Sequence, residues 1–463
     1  MRLSKCVQAL LLLLPLGLIA GCGGYSAGAG AGAGYQTGSV FTVATDAALP
    51  SVVSCQFQVD GISLNGSPNL LASPALVDFA QLSGLHQLLD LTGLQTGTYT
   101  TATITLDAVT KPVIQFINTG VNPPAIGSLP GASLSSTTIV VPLANPFVLT
   151  ANDLVGFRME FDIAASLATN AGQLTGVINP TFHVALLNAA DSSVSIDNFR
   201  AGFVGFGANN NTFIVQGPRG RQWTVTTDNN TDFDTAEMPA SYTANSIIEL
   251  SGQLDPVTKS IDASEVAEIS TDKFFLGGLL TSIRPTPQPG PATAADLYVR
   301  SELPDITGLT PGQITTLTLN GTENYRIANV KFPVITALLF GNSLLTPGQA
   351  VAVGGVINTV GNTSTLIPHR VVLERQGQSG TVTAPPVITN GNTGSFLLND
   401  NSTAGILLPS PLTVMTFSNT RFINLSGLSA VTANVRVVGF ILINPATQKP
   451  VMVARSVEQL TAS

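Results

Sequence analysis

From about residue 40 onward the chain is written in short alternations of apolar and polar residues. Thr101-Ala102-Thr103-Ile104-Thr105-Leu106 puts Ala102, Ile104 and Leu106 on one face and threonines on the other, as in a strand with one buried and one solvated face. Phe157-Arg158-Met159-Glu160-Phe161-Asp162-Ile163 alternates in the same way. Val53-Ser54-Cys55-Gln56-Phe57-Gln58-Val59 predicts a strand that places Cys55 on one face with Val53, Phe57 and Val59. Proline-rich turns at Asn122-Pro123-Pro124 and Leu129-Pro130-Gly131 separate such runs. The exception is the leucine spacing at Leu85, Leu88 and Leu89, which predicts a short helical stretch.

Beyond Gly202 a weak pattern recurs three times. A polar turn leads into an aromatic residue at Asn230-Thr231-Asp232-Phe233, at Thr322-Glu323-Asn324-Tyr325 and at Asn419-Thr420-Arg421-Phe422. Each is followed by an apolar strand with a central glycine: Ile247–Leu254 around Gly252, Ala350–Ile357 around Gly354-Gly355, and Asn434–Ile441 around Gly439. A hairpin then returns through Ser264-Glu265-Val266, His369-Arg370-Val371-Val372 and Ala454-Arg455-Ser456-Val457. A glycine inside a strand permits the sharp bend or bulge that closes a small barrel. Units of this length are too long for a solenoid repeat.

The first residues carry an address. Arg2 and Lys5 precede an apolar stretch from Ala9 to Ala20, too short to span a bilayer as a helix and suited to the apolar region of a signal peptide. It ends in Leu18-Ile19-Ala20-Gly21-Cys22. This resembles the lipobox of bacterial lipoproteins, which implies cleavage between Gly21 and Cys22 and lipidation of the Cys22 thiol. By the same resemblance Gly23, in place of an aspartate, implies sorting to the outer membrane. The Gly/Ala-rich run that follows, centred on Ala27 to Gly34, reads as a flexible tether, with a reach of roughly 20–25 Å for sixteen residues.

Composition narrows the function classes. Charged residues make up 10% of the 463 and hydrophobic ones 44%, which is not the composition of a disordered chain. Without Arg2 and Lys5, 17 basic residues stand against 27 acidic ones. No cluster of Lys and Arg is present to displace counterions, so nucleic acid is not an expected partner. Cys6 lies in the signal segment and Cys22 in the lipobox, so Cys55 has no partner for an internal disulfide. It reads as a small buried hydrophobe, with a reactive thiol as the alternative.

Candidate chemistry is sparse. His86, His183 and His369 lie far apart and have no metal-ligand neighbour at helical or hairpin spacing. The chain shows no nucleophile elbow or phosphate loop, and the expectation is a protein that is not an enzyme and needs no cofactor. Asp228, Asn230 and Asp232 alternate as calcium ligands do, but Phe233 stands where the loop needs glycine and Pro239 where it needs glutamate. The competing reading is a polar turn. Trp223 alternates with Val225 and is expected in a core, and Arg219 and Arg221 are expected at a hairpin tip, as a contact for an anionic partner or as a solvated turn.

Two resemblances extend this reading. Phe41–Ala47, the segment from Val77-Asp78-Phe79 to Leu89 with Leu94–Tyr99, and Phe161–Ser166 with Asn179–Phe182 resemble DUF4382, a family of domains of unknown function in exported bacterial proteins. In that family proline tends to follow Asp-Ala directly, whereas Ala48 and Leu49 intervene here before Pro50. The resemblance implies a β-sandwich of the prealbumin or immunoglobulin-like kind. The repeats, the first most clearly through Asn211–Val215, Gly217-Pro218-Arg219-Gly220 and Trp223–Thr226, resemble DUF5666, which implies small OB-like barrels.

The expected organisation is therefore all-β. A signal peptide occupies residues 1–21 and a tether 22–38, with a β-sandwich at 39–190 and OB-like barrels at 200–272, 273–377 and 378–463. The expected role is a lipid-anchored cell-envelope protein that binds or displays an unknown ligand without catalysis. Its expected contacts are membrane lipid through Cys22 and either a glycan or another envelope protein. The alternatives are a carbohydrate-binding surface protein and a structural envelope-assembly protein.

Overall fold

The computed structural model describes residues 37–47, 52–82, 87–118, 121, 124–170, 173–188, 195–209, 211–217, 222–229, 231–233, 239–244, 246–255, 260–268, 274–285, 290–303, 311–328, 340–360, 363–400 and 407–460. They belong to one compact unit that begins at Gln36. It is almost entirely β, as the alternating patterns predict.

The N-terminal part contributes β1 (Thr37–Ala47), β2 (Val52–Leu64), β3 (Ala75–Asp78), β4 (Gln87–Gln95), β5 (Gly97–Leu106), β6 (Val113–Asn118), β7 (Ala125–Ser128), β8 (Ser133–Leu134), β9 (Thr138–Leu149), β10 (Leu154–Asp162), β11 (Leu167–Asn170), β12 (Gln173–Ile178) and β13 (Phe182–Asn188). One sheet runs β13-β10-β1-β4 and a second runs β7-β6-β2-β5-β9 with β3 on β2. Their inner faces share one core. Phe57 of the second sheet lies 4.9 Å from Phe161 of the first, centroid to centroid, and Phe161 lies 5.0 Å from Phe182. This is the expected sandwich, with a small third sheet, β11-β12-β8, at its side.

Three local expectations need correction. Leu88 and Leu89 lie in β4 and not in a helix, because pairing with β1 captures the segment, and tertiary pairing overrides local propensity; Leu85 is outside the described residues. Val53 does not share a face with Cys55. A bulge between Val52 and Ser54 shifts the register against β6, so Val53 joins a different apolar cluster from Cys55, Phe57 and Val59. Thr37 and Gly38, expected in the tether, open β1.

The rest of the chain forms three sheets with one plan. The first contains β14 (Ser195–Phe206), β15 (Thr212–Gln216), β16 (Gln222–Thr226), β17 (Asp232–Phe233), β18 (Ile247–Asp255) and β19 (Ser260–Glu268). The second contains β20 (Phe274–Arg284), β21 (Ala294–Leu303), β22 (Ile314–Thr318), β23 (Asn324–Ile327), β24 (Ala350–Val360) and β25 (Thr363–Leu373). The third contains β26 (Gln376–Val382), β27 (Val387–Asn390), β28 (Thr393–Asp400), β29 (Leu412–Thr416), β30 (Arg421–Ile423), β31 (Asn434–Asn444) and β32 (Lys449–Gln459), where β27 is an added hairpin strand. In the first barrel β14, β15 and β16 form a meander, β18 returns beside β14, and β19 pairs with β18 and, in parallel, with β16. That circuit is the five-stranded OB-like closure. The third barrel repeats it, with β29 parallel to β32.

The repeated sequence marks occupy matching places. Phe233, Tyr325 and Phe422 sit on β17, β23 and β30, each a short strand parallel to the last strand of its own barrel, opposite Val266, Val371 and Val457. All three rings are half-buried against apolar clusters. Gly252, Gly355 and Gly439 each sit at a bulge in the fourth strand of the circuit. A Cβ there would lie 2.2, 2.1 and 2.0 Å from the carbonyl oxygens of Asp262, Ile367 and Val453, so the two backbones can approach only because the side chain is missing. The apolar interiors are not all separate. Phe440, Leu442, Val451 and Val453 of the third barrel join the cluster of the second, and Leu279 and Tyr298 of the second join that of the third.

Candidate functional site

The polar turns of the repeats are built alike. The backbone N–H of Asp228 donates to Thr231 Oγ1 at 2.9 Å, that of Phe417 donates to Thr420 Oγ1 at 2.9 Å, and that of Asn320 donates to the Glu323 carboxylate. Thr231 and Thr420, both buried, also donate to the carbonyls of Ala263 and Ala454 at 2.8 and 2.9 Å. The turn thus staples the short aromatic strand to the barrel. Of the calcium candidates, Asp228 is exposed and accepts from the Thr231 N–H at 3.0 Å. The Asp232 backbone pairs with Glu265, and Asn230 lies outside the described residues.

The remaining candidates are scattered. Gly21, Cys22, His86, Arg219 and Arg221 lie outside the described residues. Trp223 is buried in the core of the first barrel, as its alternation with Val225 predicts, and the Cys55 thiol is buried in the sandwich core. His369 is exposed on β25. His183 stands exposed on β13, with Nε2 3.7 Å from Asp162. Among the described residues no group of three His, Cys, Asp or Glu could hold a metal ion.

Arg284 and Asp296 pair inside the second barrel, and three further groups of charged and polar residues assemble where one β unit meets another. Arg200 of β14 bonds through Nε to Glu249 of β18 at 2.6 Å. It then reaches into the second barrel, where it bonds to Ser301 of β21 and to Glu374, the residue after β25. Its guanidinium carbon lies 4.7 Å from the centre of the Phe275 ring, within cation–π range. Burial opposes its charge, and the two carboxylates overcome that and hold its pKa above the ordinary value. Beside it, Arg370 donates to the Glu268 carbonyl at 3.1 Å and Arg375 approaches Glu265 at 3.6 Å.

A second junction joins the sandwich to the third barrel. Arg436 of β31 is 2% exposed and lies between Glu160 of β10, at 2.9 Å, and Glu458 of β32, at 3.5 Å. Arg158 approaches Glu458 at 3.5 Å. Burial works against ionisation of Glu160, but Arg436 and then Arg158 together hold its pKa below the usual carboxylate value. A third junction joins the sandwich to the second barrel. Tyr298 donates to Gln115 Oε1 at 2.9 Å, and Gln115 Nε2 donates to the Gly312 carbonyl at 2.9 Å. Close by, Asp78 accepts from Ser54 at 2.6 Å, from the Cys55 N–H at 2.9 Å and from Gln81 at 2.9 Å, while burial raises its pKa.

These groups neutralise one another across unit boundaries. A buried pair is costly to break, because removal of one partner leaves a bare charge. The chemistry of the arrangement is therefore that of a lock. The sequence signals its parts only faintly: Arg158 and Glu160 occupy the polar positions of an ordinary alternating strand, and Arg436 is a lone charge inside an apolar run. No family model matches the chain, and no curated protein does. Among solved structures, a chain described as Drosophila Unr CSD456 is similar at 10% identity, over 57% of this chain and 98% of that one, with a TM-score of 0.13.

Proposed function

We propose that this chain is a lipid-anchored cell-envelope protein whose β units form a non-enzymatic binding or display module. The observation that carries the reading is the use of buried charge. Arg200, Glu249 and Glu374, and Arg436, Glu160 and Glu458, are engaged with each other at the joints between units. Such joints suit a scaffold that must hold its units in fixed relation. The lipobox-like Leu18–Cys22 and the Gly/Ala-rich run after it support the anchor. More than one acyl chain gives stable membrane attachment, and the cysteine of such lipoproteins carries several. The resemblance of the N-terminal segments to DUF4382, a family found in exported bacterial proteins, supports export, and neither it nor the resemblance to DUF5666 assigns a ligand.

The test is a binding comparison on the soluble body from Gln36 to Ser463. It is applied to a glycan array and, separately, used to retrieve partners from detergent-solubilised envelope. A saturable glycan or envelope-protein ligand that the unfolded body fails to bind supports the module. Turnover of an array glycan or of a captured protein refutes the non-enzymatic reading. A glycan hit selects the carbohydrate-binding form, and retrieval of an envelope protein alone selects the assembly form.

A further inference from the structure

The joint between the first and second barrels has a built socket. Gly277 of β20 lies under the Arg200 guanidinium, where a Cβ would stand 2.6 Å from Arg200 Nη1 and 2.6 Å from Ser301 Oγ. The first barrel thus inserts a cation into a recess in the second, and the recess exists because residue 277 has no side chain. Two carboxylates then close on that one cation. Glu249 comes from the same barrel as Arg200, and Glu374 follows the last strand of the second. The two carboxylates bond to neighbouring nitrogens, Nε and Nη2, of the one guanidinium, which brings them side by side. Two carboxylates that close can bond to each other only when one of them carries a proton.

We infer that this joint is a proton-dependent clamp: protonated Glu374 donates to Glu249, accepts from Arg200, and so holds the two barrels together, and the joint loosens when that proton leaves. No bond is made or broken beyond transfer of one proton to water. With the proton present, the triad of Arg200, Glu249 and Glu374 is neutral. Without it, the triad carries one excess negative charge in a buried place. Other charged groups face the site. Arg300 of β21 is attracted to Asp78 and, less strongly, to Glu374. Arg375 and Glu265 stand beside it and engage each other.

The direction of the effect follows from linkage. Burial, opposed by Arg200 and assisted by Glu249, raises the Glu374 pKa from 4.5 to about 7. Between those values the closed joint binds a proton that the open chain does not. The stabilisation is therefore complete below the lower value and is lost as pH rises through about 7. Asp78, raised by its own burial, acts in the same direction.

Hydrogen exchange on the Gln36–Ser463 body tests this, read on peptides that cover β14 and β20 and corrected for intrinsic exchange. Protection in these strands should fall by up to about tenfold per pH unit between pH 5 and 7 and then level off. Glu374→Gln should remove most of that slope, whereas a purely structural contact would lower protection equally at every pH. Glu249→Gln, which removes the repelling charge, should move the fall to lower pH and serves if the first variant does not fold. An unchanged slope in either folded variant, or protection in the unmodified protein that does not fall over this range, overturns the clamp.

Discussion

The bulge glycine of the first barrel allows a prediction that can be worked from distances. In Gly252→Ala the new Cβ would lie 2.2 Å from the Asp262 carbonyl oxygen and 2.8 Å from the Ala263 Cα. Both are backbone atoms, so no side chain can swing aside, and relief requires β18 and β19 to separate by nearly an ångström at the bulge. Overpacking of this kind costs about 1–3 kcal/mol, and a strained or lost ladder hydrogen bond adds about 1 kcal/mol, for a total of about 2–4 kcal/mol. Gly205→Ala in β14 of the same barrel is the control. A Cβ there meets nothing within 4 Å, and the smaller entropy of the unfolded chain should leave it neutral or stabilise it by about 0.4–1 kcal/mol. The assay is urea unfolding followed by the fluorescence of Trp223, the only tryptophan, buried in the core of this barrel. A Gly252→Ala midpoint no lower than that of Gly205→Ala would refute the close-approach argument, and with it the account of Gly355 and Gly439.

Arg436→Ala should destabilise the body by about 3 kcal/mol, the lower end for a broken buried pair, because it removes the nearest cation from Glu160 and Glu458 and leaves them only Arg158; calorimetry at pH 7 checks this. The Glu160 contribution should be present above the ordinary carboxylate range and be lost as pH falls below it, since its folded pKa is held low; an Arg436 variant should show a shallower loss on acidification. Thr231→Val and Thr420→Val should each cost about 1–3 kcal/mol by leaving the Ala263 or Ala454 carbonyl without its donor, measured by urea unfolding. The thiol of Cys55 is fully buried and should react with an aromatic disulfide reagent in the Gln36–Ser463 body only as fast as the sandwich opens.

How much of this could be read in advance depends on the range of the interaction. Alternation at Thr101–Leu106 and at Phe157–Ile163 is a local property, and the first segment and the second as far as Asp162 are strands with the expected faces buried, while Ile163, also buried, opens a single helical turn. The aromatic marks and central glycines were also legible, because each reports a local need, a short stapled strand or a close backbone approach, that recurs three times. Val53 departs from its alternation because a single bulge inverts the faces of a strand, and no residue near it announces one. Leu88 and Leu89 depart from their helical spacing because the β1 edge that captures them lies more than forty residues earlier in the chain. The joints were the least legible. Arg200 meets Glu374 across 174 positions, and Arg436 meets Glu160 across 276, and nothing in either neighbourhood names the other.

The most direct test of the anchored-module account is the intact mass of the N-terminal peptide of the full chain, purified from the membranes of a lipoprotein-processing bacterial host. The account predicts a peptide that begins at Cys22, heavier than its sequence by a diacylglyceryl group, with or without an added N-acyl chain. Cys22→Ser should abolish both the cleavage and the added mass. An N-terminus at another residue with no lipid on Cys22, or the same mass gain in the Cys22→Ser chain, would contradict it.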